Sequence, residues 1–400
     1  VPEEVWAEVR RRAVERPATF TFSGRGAGAP ERELSRGVVR LAISADPVGA
    51  PVFYRDVPLV PARGKKGTIQ PVDPELYSRI AWRLKDLSRP GSRVVLEDMP
   101  SCANCHSFSA DGTTMGMDVD GPSGDKGSYL IAPVAEEMVI TDEEVITWNS
   151  FTDKPAGHRT IGFLSRMSPD GKYSVTTLNE SLYVANFTNY KFLQVFYPTR
   201  GILGWYSAES GEMEALPGAD DPAWVHCSPA WSPDGETLVF CRARAFDPYE
   251  PGREMAQYPN DPNEPEIRYD LYRMPFNDGR GGTPVPVEGA SANGMSNTFP
   301  KVSPDGKRIV FTKCKNGLLM RPDGKLWIVP FEGGEARELA CNTSLMNSWH
   351  SFSPNGRWLV FSSKVNTPYT QLFLTHLDEE GNATPPILIP GPTAANRAAN

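Results

Sequence analysis

In the first 90 residues, some hydrophobic positions are spaced as in a helix and others as in short strands. Residues 3–15 carry apolar side chains three to four positions apart and stop before Pro17, which predicts a short amphipathic helix. Short apolar runs broken by Gly and Pro then predict strands at 38–43 and 51–57. A second helical pattern begins behind Asp73, a suitable N-cap, and its predicted apolar face holds Leu76, Ile80, Leu84 and Leu87.

From residue 100 onward the apolar pattern repeats. A Ser-Pro-Asp-Gly turn separates two apolar runs, and the copies are Ser168–Gly171, Ser232–Gly235 and Ser303–Gly306, with variants at Ser353–Gly356 and Ser109–Gly112. Proline presets φ, and Asp-Gly or Asn-Gly permits positive φ, so each copy predicts a hairpin turn. Third strands are predicted at Leu271–Pro275, Lys325–Pro330 and Gln371–His376. Four antiparallel strands in each repeat predict an all-β fold, a β-propeller.

The spacing of the turns sets the expected blade number and the domains. The turn serines lie at 109, 168, 232, 303 and 353, so they are 59, 64, 71 and 50 residues apart. A four-stranded blade needs about 40–45 residues, which predicts insertions at 180–200 and 246–268 on one rim. Five turns plus N-terminal strands predict about six blades of four antiparallel strands. We expect a small mixed α/β N-terminal segment at 1–92, some strands of which can join the propeller, and the propeller itself at 93–400.

Composition narrows the class of protein. The chain has 400 residues, of which 40% are hydrophobic, and a formal net charge of −8. The negative charge argues against nucleic acid and against an anionic membrane surface as partners. The sequence contains no run of 18 apolar residues, so we predict no transmembrane segment.

The strongest chemical signal is Cys102-Ala103-Asn104-Cys105-His106. This C-x-x-C-H pattern is typical of covalent c-type haem attachment, in which the two thiols bind the haem vinyl groups and the histidine binds the iron as proximal ligand. Cysteines three apart face the same way on a helical turn, so we expect a turn over 102–106 and a strand from about His106. The alternatives are a C-x-x-C disulfide or half of a zinc site.

The haem motif belongs to the repeat, because His106–Gly112 aligns with His350–Gly356. We therefore expect the haem at the start of the first strand of one blade. In a hairpin closing on 109–112, Met115 would pair with His106, so neither Met115 nor Met117 could reach the opposite face of the iron. Candidates for the distal ligand, chosen by their distance from the turns, are Met346, Met295, His158 and His226; a ligand from a partner or an open position is the alternative.

The sequence contains two weaker patterns. Asp118, Asp120 and Asp125 alternate with glycines and suggest calcium, although a polar turn is the plainer interpretation. An exported protein could pair Cys227 with Cys241, which flank a hairpin turn, and Cys314 with Cys341. The alternative is four buried free thiols.

These motifs together resemble a known family. The Ser-Pro-Asp-Gly turns before apolar strands look like the TolB-like propeller repeat over about residues 100–390. With the C-x-x-C-H motif, the chain resembles exported bacterial propeller proteins that carry one c-type haem; the stretches 101–112, 294–306 and 346–364 carry this resemblance. It implies a fold and one covalent haem c, rather than a defined activity.

The main hypothesis for function is a monohaem c-type cytochrome that transfers electrons as a subunit docked to a redox or assembly partner. An enzyme is the less favoured class, since no hydrolytic triad, phosphate loop or paired carboxylates are evident. The alternatives are a propeller binding module with a structural haem, or a haem enzyme acting on a small ligand such as peroxide. The chain begins at Val1 without a leader, and haem attachment takes place outside the cytoplasm, so we expect a periplasmic or extracellular protein.

Overall fold

The computed structural model describes residues 2–58, 74–99, 103–121, 125–136, 138, 140–189, 191–249, 251–252, 254–392 and 397–399. The chain forms two compact units, Val1–Gly49 and Ala50–Asn400. Within the described ranges, no helix is both long enough and apolar enough to cross a membrane.

The first unit contains one helix and one hairpin. Helix α1 (Glu3–Arg12) confirms the predicted helix, with acidic residues in its first turn and arginines in its last turn, as the helix dipole favours. Strands β1 (Ala18–Gly26) and β2 (Ala29–Leu41) form an antiparallel pair. Most residues of this pair are exposed on both faces, so the hairpin adds little buried surface.

The second unit is an all-β propeller built from antiparallel sheets. The sheet with the haem motif consists of β6 (Ala103–Phe108), β7 (Thr114–Val119), β8 (Ser128–Pro133) and β9 (Val145–Thr147). Two further four-stranded sheets are β18 (Ser296–Val302), β19 (Arg308–Cys314), β20 (Lys325–Pro330) and β21 (Arg337–Glu338), and β22 (Asn347–Phe352), β23 (Trp358–Ser363), β24 (Gln371–His376) and β25 (Ile387–Leu388). The predicted third strands are therefore confirmed at β20 and β24.

One sheet has eight strands. Its first four are β10 (Phe163–Met167), β11 (Tyr173–Asn189), β12 (Phe192–Ser207) and β13 (Met213–Ala215); its last four are β14 (Trp224–Trp231), β15 (Thr237–Arg244), β16 (Asp270–Pro275) and β17 (Val285–Pro286). The two halves meet at one parallel pair, Gly201 with Val225. The expected six blades are thus not six separate sheets, because four sheets have four strands each and one has eight.

The last strand of the chain joins a sheet from its beginning. Strand β26 (Arg397–Ala399) pairs with β3 (Val52–Pro58), followed by β4 (Ala81–Lys85) and β5 (Arg93–Leu96). N-terminal strands therefore do join the propeller. Apolar clusters hold this sheet to both neighbours: Trp82 packs with Met117 of β7, and Tyr54 packs with Leu372 of β24.

The predicted second helix is wrong. Residues Pro74–Arg79 form a short 3₁₀ helix, and Ala81–Lys85 form a strand; Asp73 lies outside the described residues. Ile80 and Trp82 are buried against the sheet of β6–β9, which favours an extended segment over a helix. Two more 3₁₀ turns lie at Asp142–Glu144 and Trp148–Ser150.

The three Ser-Pro-Asp-Gly turns and their two variants share one hydrogen-bond scheme. In the copy at 168–171, Ser168 Oγ donates to Asp170 Oδ1 at 2.6 Å, and it accepts from the backbone N–H of Tyr173 at 2.9 Å. The same two bonds recur at the other four serines, Ser109, Ser232, Ser303 and Ser353. Only the glycines have positive φ, between 69° and 75°, so the turns use one left-handed residue rather than two. We call this edge of the propeller the turn rim.

Candidate haem site

The strands that lead into the five turns, here called the first strands, contact one another. Strand β6 contacts β10, β10 contacts β14, β14 contacts β18, and β18 contacts β22. They therefore form the innermost layer of the propeller. The segments that precede these strands, and those that join second to third strands, lie at the edge opposite the turns; we call it the loop rim.

The haem motif lies in the innermost layer. The expected turn over 102–106 is wrong for residues 103–106, because these residues belong to strand β6. Cys102 lies outside the described residues. Residues Ala103 and His106 pair with Val119 and Met117, which leaves one extra residue in β6 between them. Such a bulge shifts the alternation of side chains by one, so residues three apart can face one side without a turn.

His106 lies between two aromatic rings. Its ring centroid is 4.7 Å from that of Phe53 on β3 and 6.1 Å from that of Phe108, and Phe53 meets it edge-on. Its Nδ1 is buried and has no hydrogen-bond partner among the described residues. Burial, together with the smaller effect of the charges of Arg166, Lys301 and Arg55, lowers the pKa of His106 to about 3. The imidazole is therefore neutral, which is the form that binds metal ions.

Cys105 faces the centre of the propeller. It packs against the largest buried cluster, which includes Leu164 and Phe299 from other first strands. Burial raises the pKa of its thiol to about 12, and the nearby Asp118 carboxylate acts in the same direction. The thiol is thus protonated, and the cysteine and the adjacent neutral imidazole together match the donor chemistry of a c-type haem site.

Cys105 occupies a position that recurs in the repeat. The residue four places before the turn serine is Leu164, Ser228, Phe299 or Trp349 in the other copies, and each has a positive φ of 51–60°. Each of these residues sits at the bulge of its first strand. Bulges in matching places re-aim one side chain per strand, and Leu164, Phe299, Trp349 and Cys105 all belong to or pack on the central cluster.

Three charged side chains lie beside the motif: Arg166 and Lys301, which sequence reasoning missed, and Asp118, which it named only as a calcium candidate. Arg166 is 8% exposed and donates from a guanidinium nitrogen to the His106 carbonyl at 2.8 Å. Lys301 and Arg166 both occupy the place two residues before a turn serine, a signal that alignment of the repeats contains. Asp118, on β7, has its pKa raised to about 7 by burial, and Ser165 opposes this shift by hydrogen bonding.

The register of the first hairpin corrects one expectation. Met117 pairs with His106, and Met115 pairs with Phe108, because the loop closes between Ser109 and Thr114. Both methionines are buried in the core next to Trp82. They lie on the strand beside His106, as expected, although the paired residue is Met117 rather than Met115.

The four distal-ligand candidates have other surroundings. Met346 is fully buried, directly precedes β22 and donates its N–H to the Pro322 carbonyl. His226 is fully buried with its ring centroid 5.7 Å from that of Phe240. Met295 and His158 are half-buried at the loop rim. The described partners of Cys105 and His106 are instead Phe53, Phe108, Arg166 and the central cluster, so the distal ligand stays a prediction.

The calcium pattern gains no support. Asp118 is buried and accepts a hydrogen bond from Ser165, while Asp120 pairs with Lys126 at 2.5 Å. Asp125 accepts from the Gly127 N–H at 3.0 Å and from Asn149. No group of three or more His, Cys, Asp or Glu suited to a metal ion occurs among the described residues, which omit 122–124.

The remaining cysteines are buried free thiols. Cys227 and Cys241 pair across the hairpin of β14 and β15, which confirms their predicted placement, but they are not bonded. Cys314 lies in the central cluster, whereas Cys341 packs in the cluster between β19 and β23. The pairing of Cys314 with Cys341 is therefore not found.

The two predicted insertions pack against each other at the loop rim. Residues 180–200 extend β11 and β12 into a long hairpin, and Tyr249 of the second insertion donates to its Leu182 carbonyl at 3.0 Å. Tyr197 donates to the Pro265 carbonyl at 2.9 Å. A buried ion pair, Arg321 with Glu264 at 2.7 Å, holds the second insertion to the loop after β19.

A cavity of about 360 Å³ opens beside the second insertion. Its walls include Trp224, Arg242, Arg244, Phe246, Arg268 and Tyr272. The guanidinium carbons of Arg242 and Arg244 lie 4.0 and 3.9 Å from the Trp224 ring centroid. Glu266 and Asp270 also line it, so the recess combines three arginines, two acidic residues and aromatic rings. Arginine and aromatic side chains are enriched at protein interfaces.

Known proteins match this chain in fold only. No family profile and no curated protein matches the sequence. The structure is similar to a putative TolB from Agrobacterium tumefaciens, with a TM-score of 0.45, 14% identity and coverage of 88% of this chain and 98% of that chain. It is also similar to TolB from Acinetobacter baumannii, with a TM-score of 0.49, 14% identity and coverage of 90% and 76%.

A third similar structure is the Kuenenia stuttgartiensis hydrazine synthase, with a TM-score of 0.40, 13% identity and coverage of 75% of this chain and 74% of that chain. All three TM-scores are below 0.5, so none of these similarities assigns an activity. The chain is an all-β propeller with TolB-like structural neighbours.

Proposed function

We propose that the chain is a monohaem c-type cytochrome on a propeller scaffold, which transfers electrons outside the cytoplasm as a subunit docked to a protein partner. The observation that carries the proposal is the C-x-x-C-H motif, of which Cys105 and His106 lie in the innermost strand layer. There the imidazole is neutral, and its Nδ1 is buried without a partner among the described residues.

Each residue of the motif has a distinct role. Cys102 and Cys105 would hold the haem covalently, and His106 would bind its iron. When bound, the haem supplies a one-electron iron couple. Phe53 and Phe108 orient the imidazole and exclude water from it, and Arg166 fixes the backbone of His106 through its carbonyl.

Partner docking is assigned to the loop rim. The cavity beside Trp224 and Arg242 combines guanidinium groups with aromatic faces, and such residues carry much of the binding energy at interfaces. The same recess favours the second candidate function, a binding or assembly module in which the haem is structural. We also propose that the eight-stranded sheet counts as two blades, which gives six, and that the protein works in the periplasm or outside the cell.

The test is expression in a host with haem-attachment machinery. We expect one haem that survives acid–acetone extraction. We expect the double variant Cys102→Ala/Cys105→Ala to lose covalent attachment and His106→Ala to lose normal iron ligation. Cys314→Ala is the matched control, since this buried thiol lies outside the motif. A colourless wild-type protein would refute the proposal.

The spin state of the iron separates the functions. Low-spin iron with a reversible potential and fast exchange with a donor supports electron transfer. Low-spin iron without such exchange favours the structural role. High-spin iron that binds CO rapidly would replace electron transfer by small-ligand catalysis.

A further inference from the structure

Two arginines of the recess beside the second insertion have no charged partner. The charged residues that line this cavity of about 360 Å³ are Arg242, Arg244, Arg268, Glu266 and Asp270. Arg268 forms an ion pair with Glu266 at 3.1 Å. Among the residues that the structure describes, Arg242 and Arg244 form neither an ion pair nor a hydrogen bond, and the Nε of Arg242 is buried.

The carboxylates nearest to Arg242 bond elsewhere. Asp270 pairs with Arg242 across strands β15 and β16, but its Oδ1 accepts from the backbone N–H of Ala292 at 2.8 Å. Asp221 acts on the Arg242 guanidinium without forming an ion pair, and its Oδ1 accepts from the Ala223 N–H at 2.9 Å. The guanidinium donors of the recess therefore stay available to an anion from outside the chain.

Aromatic rings hold both guanidinium groups in place. The guanidinium carbons of Arg242 and Arg244 lie 4.0 and 3.9 Å from the Trp224 ring centroid, and that of Arg242 also lies 5.0 Å from the Tyr272 ring centroid. A guanidinium packed on a ring keeps its N–H donors free at its edge, where they can bond both oxygens of a carboxylate. Because the rings already order these side chains, binding an anion costs less side-chain entropy.

Arg273, on strand β16, shows the same arrangement with its anion present. Its guanidinium carbon lies 5.5 Å from the Phe331 ring centroid, and the guanidinium binds the Glu332 carboxylate at 2.6 Å. At Arg242 and Arg244 the aromatic contacts are in place, and a carboxylate from a second molecule would complete the arrangement.

The surroundings favour a protein over a small molecule as the source of that carboxylate. The second insertion contributes Phe246 to the recess, and its residues Tyr249, Met255 and Tyr258 are between 40% and 50% exposed. Exposed aromatic side chains and methionine beside arginines are typical of protein interfaces, whereas a small ligand would leave this apolar surface in water.

We propose that the recess binds an acidic segment of the partner protein, in which a Glu or Asp carboxylate bonds Arg242 and Arg244. The inference rests on the proposed function, in which this recess docks the partner, and it adds the chemistry that the partner presents. An apolar residue next to that carboxylate would pack against Phe246 and the exposed side chains of the second insertion.

The experiment measures the binding of two labelled peptides to the purified protein, with its haem if it carries one, by fluorescence anisotropy at low salt. One peptide is Gly-Glu-Phe-Glu-Gly, and the other has glutamine in place of both glutamates. The chain carries a formal net charge of −8, so an acidic peptide has no general attraction to it and its binding reports a local site.

Three variants locate that site. Arg242→Gln and Arg244→Gln each remove one guanidinium, and Arg244 is exposed, so its replacement is compatible with folding. Arg273→Gln is the matched control, because it removes the same charge and a similar ring contact outside the recess. Circular dichroism and thermal unfolding check that each variant is folded.

The proposal predicts that wild type binds the glutamate peptide and not the glutamine peptide. Arg242→Gln and Arg244→Gln should each weaken that binding by about tenfold, as expected for the loss of a hydrogen bond between charged groups. Arg273→Gln should stay within about twofold of wild type.

Other results overturn the proposal. These are equal binding of both peptides, no binding of either, or an equal loss of binding in Arg273→Gln. Succinate that binds as tightly as the glutamate peptide would replace the partner segment by a small carboxylate. The haem is tested separately: a colourless protein that binds the glutamate peptide through Arg242 and Arg244 would keep this site and refute the cytochrome, and a haem-bearing protein that binds neither peptide would do the reverse.

Discussion

The two rims of the propeller hold their carboxylates in different ways. At the turn rim, Asp111 and Asp234 accept bonds from a serine two residues earlier, and these bonds lower the pKa of each carboxyl, that of Asp111 to about 2. At the loop rim, Glu180 is buried; burial raises its pKa to about 7, and bonds from Thr160 and the Ile161 N–H only partly offset this.

The difference follows from how each rim is built. A turn contains its own donors within five residues, so its geometry is local and repeats wherever the sequence repeats. The loop rim joins segments distant in the chain, such as Glu264 and Arg321, and its polar groups are satisfied only after folding. We therefore expect single substitutions to cost more at the loop rim.

The largest expected effect is at Glu264. Both side chains of the Glu264–Arg321 pair are fully buried, and the contact uses two nitrogens at 2.7 and 2.9 Å. Glu264→Gln leaves a buried guanidinium without its counter-charge, so we expect a loss of about 3–5 kcal/mol in the free energy of unfolding. Urea denaturation at pH 7 measures it.

An exposed pair provides the control. Glu332 bonds Arg273 at 2.6 Å but is itself mostly exposed, so Glu332→Gln is expected to cost less than about 1 kcal/mol. If both substitutions cost the same free energy of unfolding, burial would not explain the difference expected between the two ion pairs.

The next effect depends on pH. The pKa of Glu180 is about 7 in the folded protein against 4.5 for the free group, so between these values the folded state binds more protons. Stability from this group therefore falls as the pH rises from 4.5 to 7 and is constant above. Glu180→Gln, which stays neutral, should be more stable than wild type by about 2–3 kcal/mol at pH 8 and nearly equal to it at pH 4.

The turn rim should respond with the opposite sign. The lowered pKa values of Asp111 and Asp234 mean that their contribution is present above pH 4 and is lost as the pH falls through their folded pKa. Denaturation midpoints of Glu180→Gln and Asp234→Asn, followed from pH 3 to 8, separate the two trends. A Glu180→Gln advantage that does not grow with pH would contradict the assignment.

The repeated turns were predictable because their information is local. Ser, Pro, Asp and Gly each have a stated role in four consecutive residues. The predicted bounds of the third strands agree with β16, β20 and β24 to within one residue. The apolar spacing at 74–87 suits a helix, whereas the burial of Trp82 between sheets favours a strand. Tertiary packing overrode the local pattern there.

The candidate site was only half predictable. The motif at 102–106 is visible as letters, but the bulge that aims Cys105 at the centre depends on pairing with β7. Arg166 and Lys301 lie on strands that are distant in the sequence. They come near His106 only because the first strands contact one another in the folded propeller. Both residues lie two positions before a turn serine. An alignment of the repeats would therefore have shown their equivalence, whereas a search for short motifs does not.

A smaller effect tests whether the turns are equivalent. Ser232→Ala removes one bond to Asp234 and one from the Thr237 N–H, so we expect a loss of about 1–2 kcal/mol, as for a helix N-cap. The same change at Ser168 and Ser303 should give the same loss within about 0.5 kcal/mol, since the bonds are the same. Thermal unfolding of the three variants measures this, and a spread above 1 kcal/mol would show that surrounding packing decides each turn.

The smallest effect concerns the one turn that lacks proline. Ala110 takes the place of proline in the repeat, and its N–H donates to the Pro169 carbonyl of the next turn at 2.7 Å. A consensus argument predicts that Ala110→Pro stabilises by about 0.4–1 kcal/mol through loss of unfolded-state entropy. The structure predicts the reverse, a loss of about 1 kcal/mol, because proline has no N–H and its ring would press against that carbonyl. Ala110→Ser keeps the N–H and should stay within about 0.5 kcal/mol of wild type. If Ala110→Pro raises the melting temperature, the hydrogen bond between the two turns stabilises the fold by less than the reduced entropy of the unfolded chain does. Each turn would then be stabilised mainly by its own residues rather than by its neighbours.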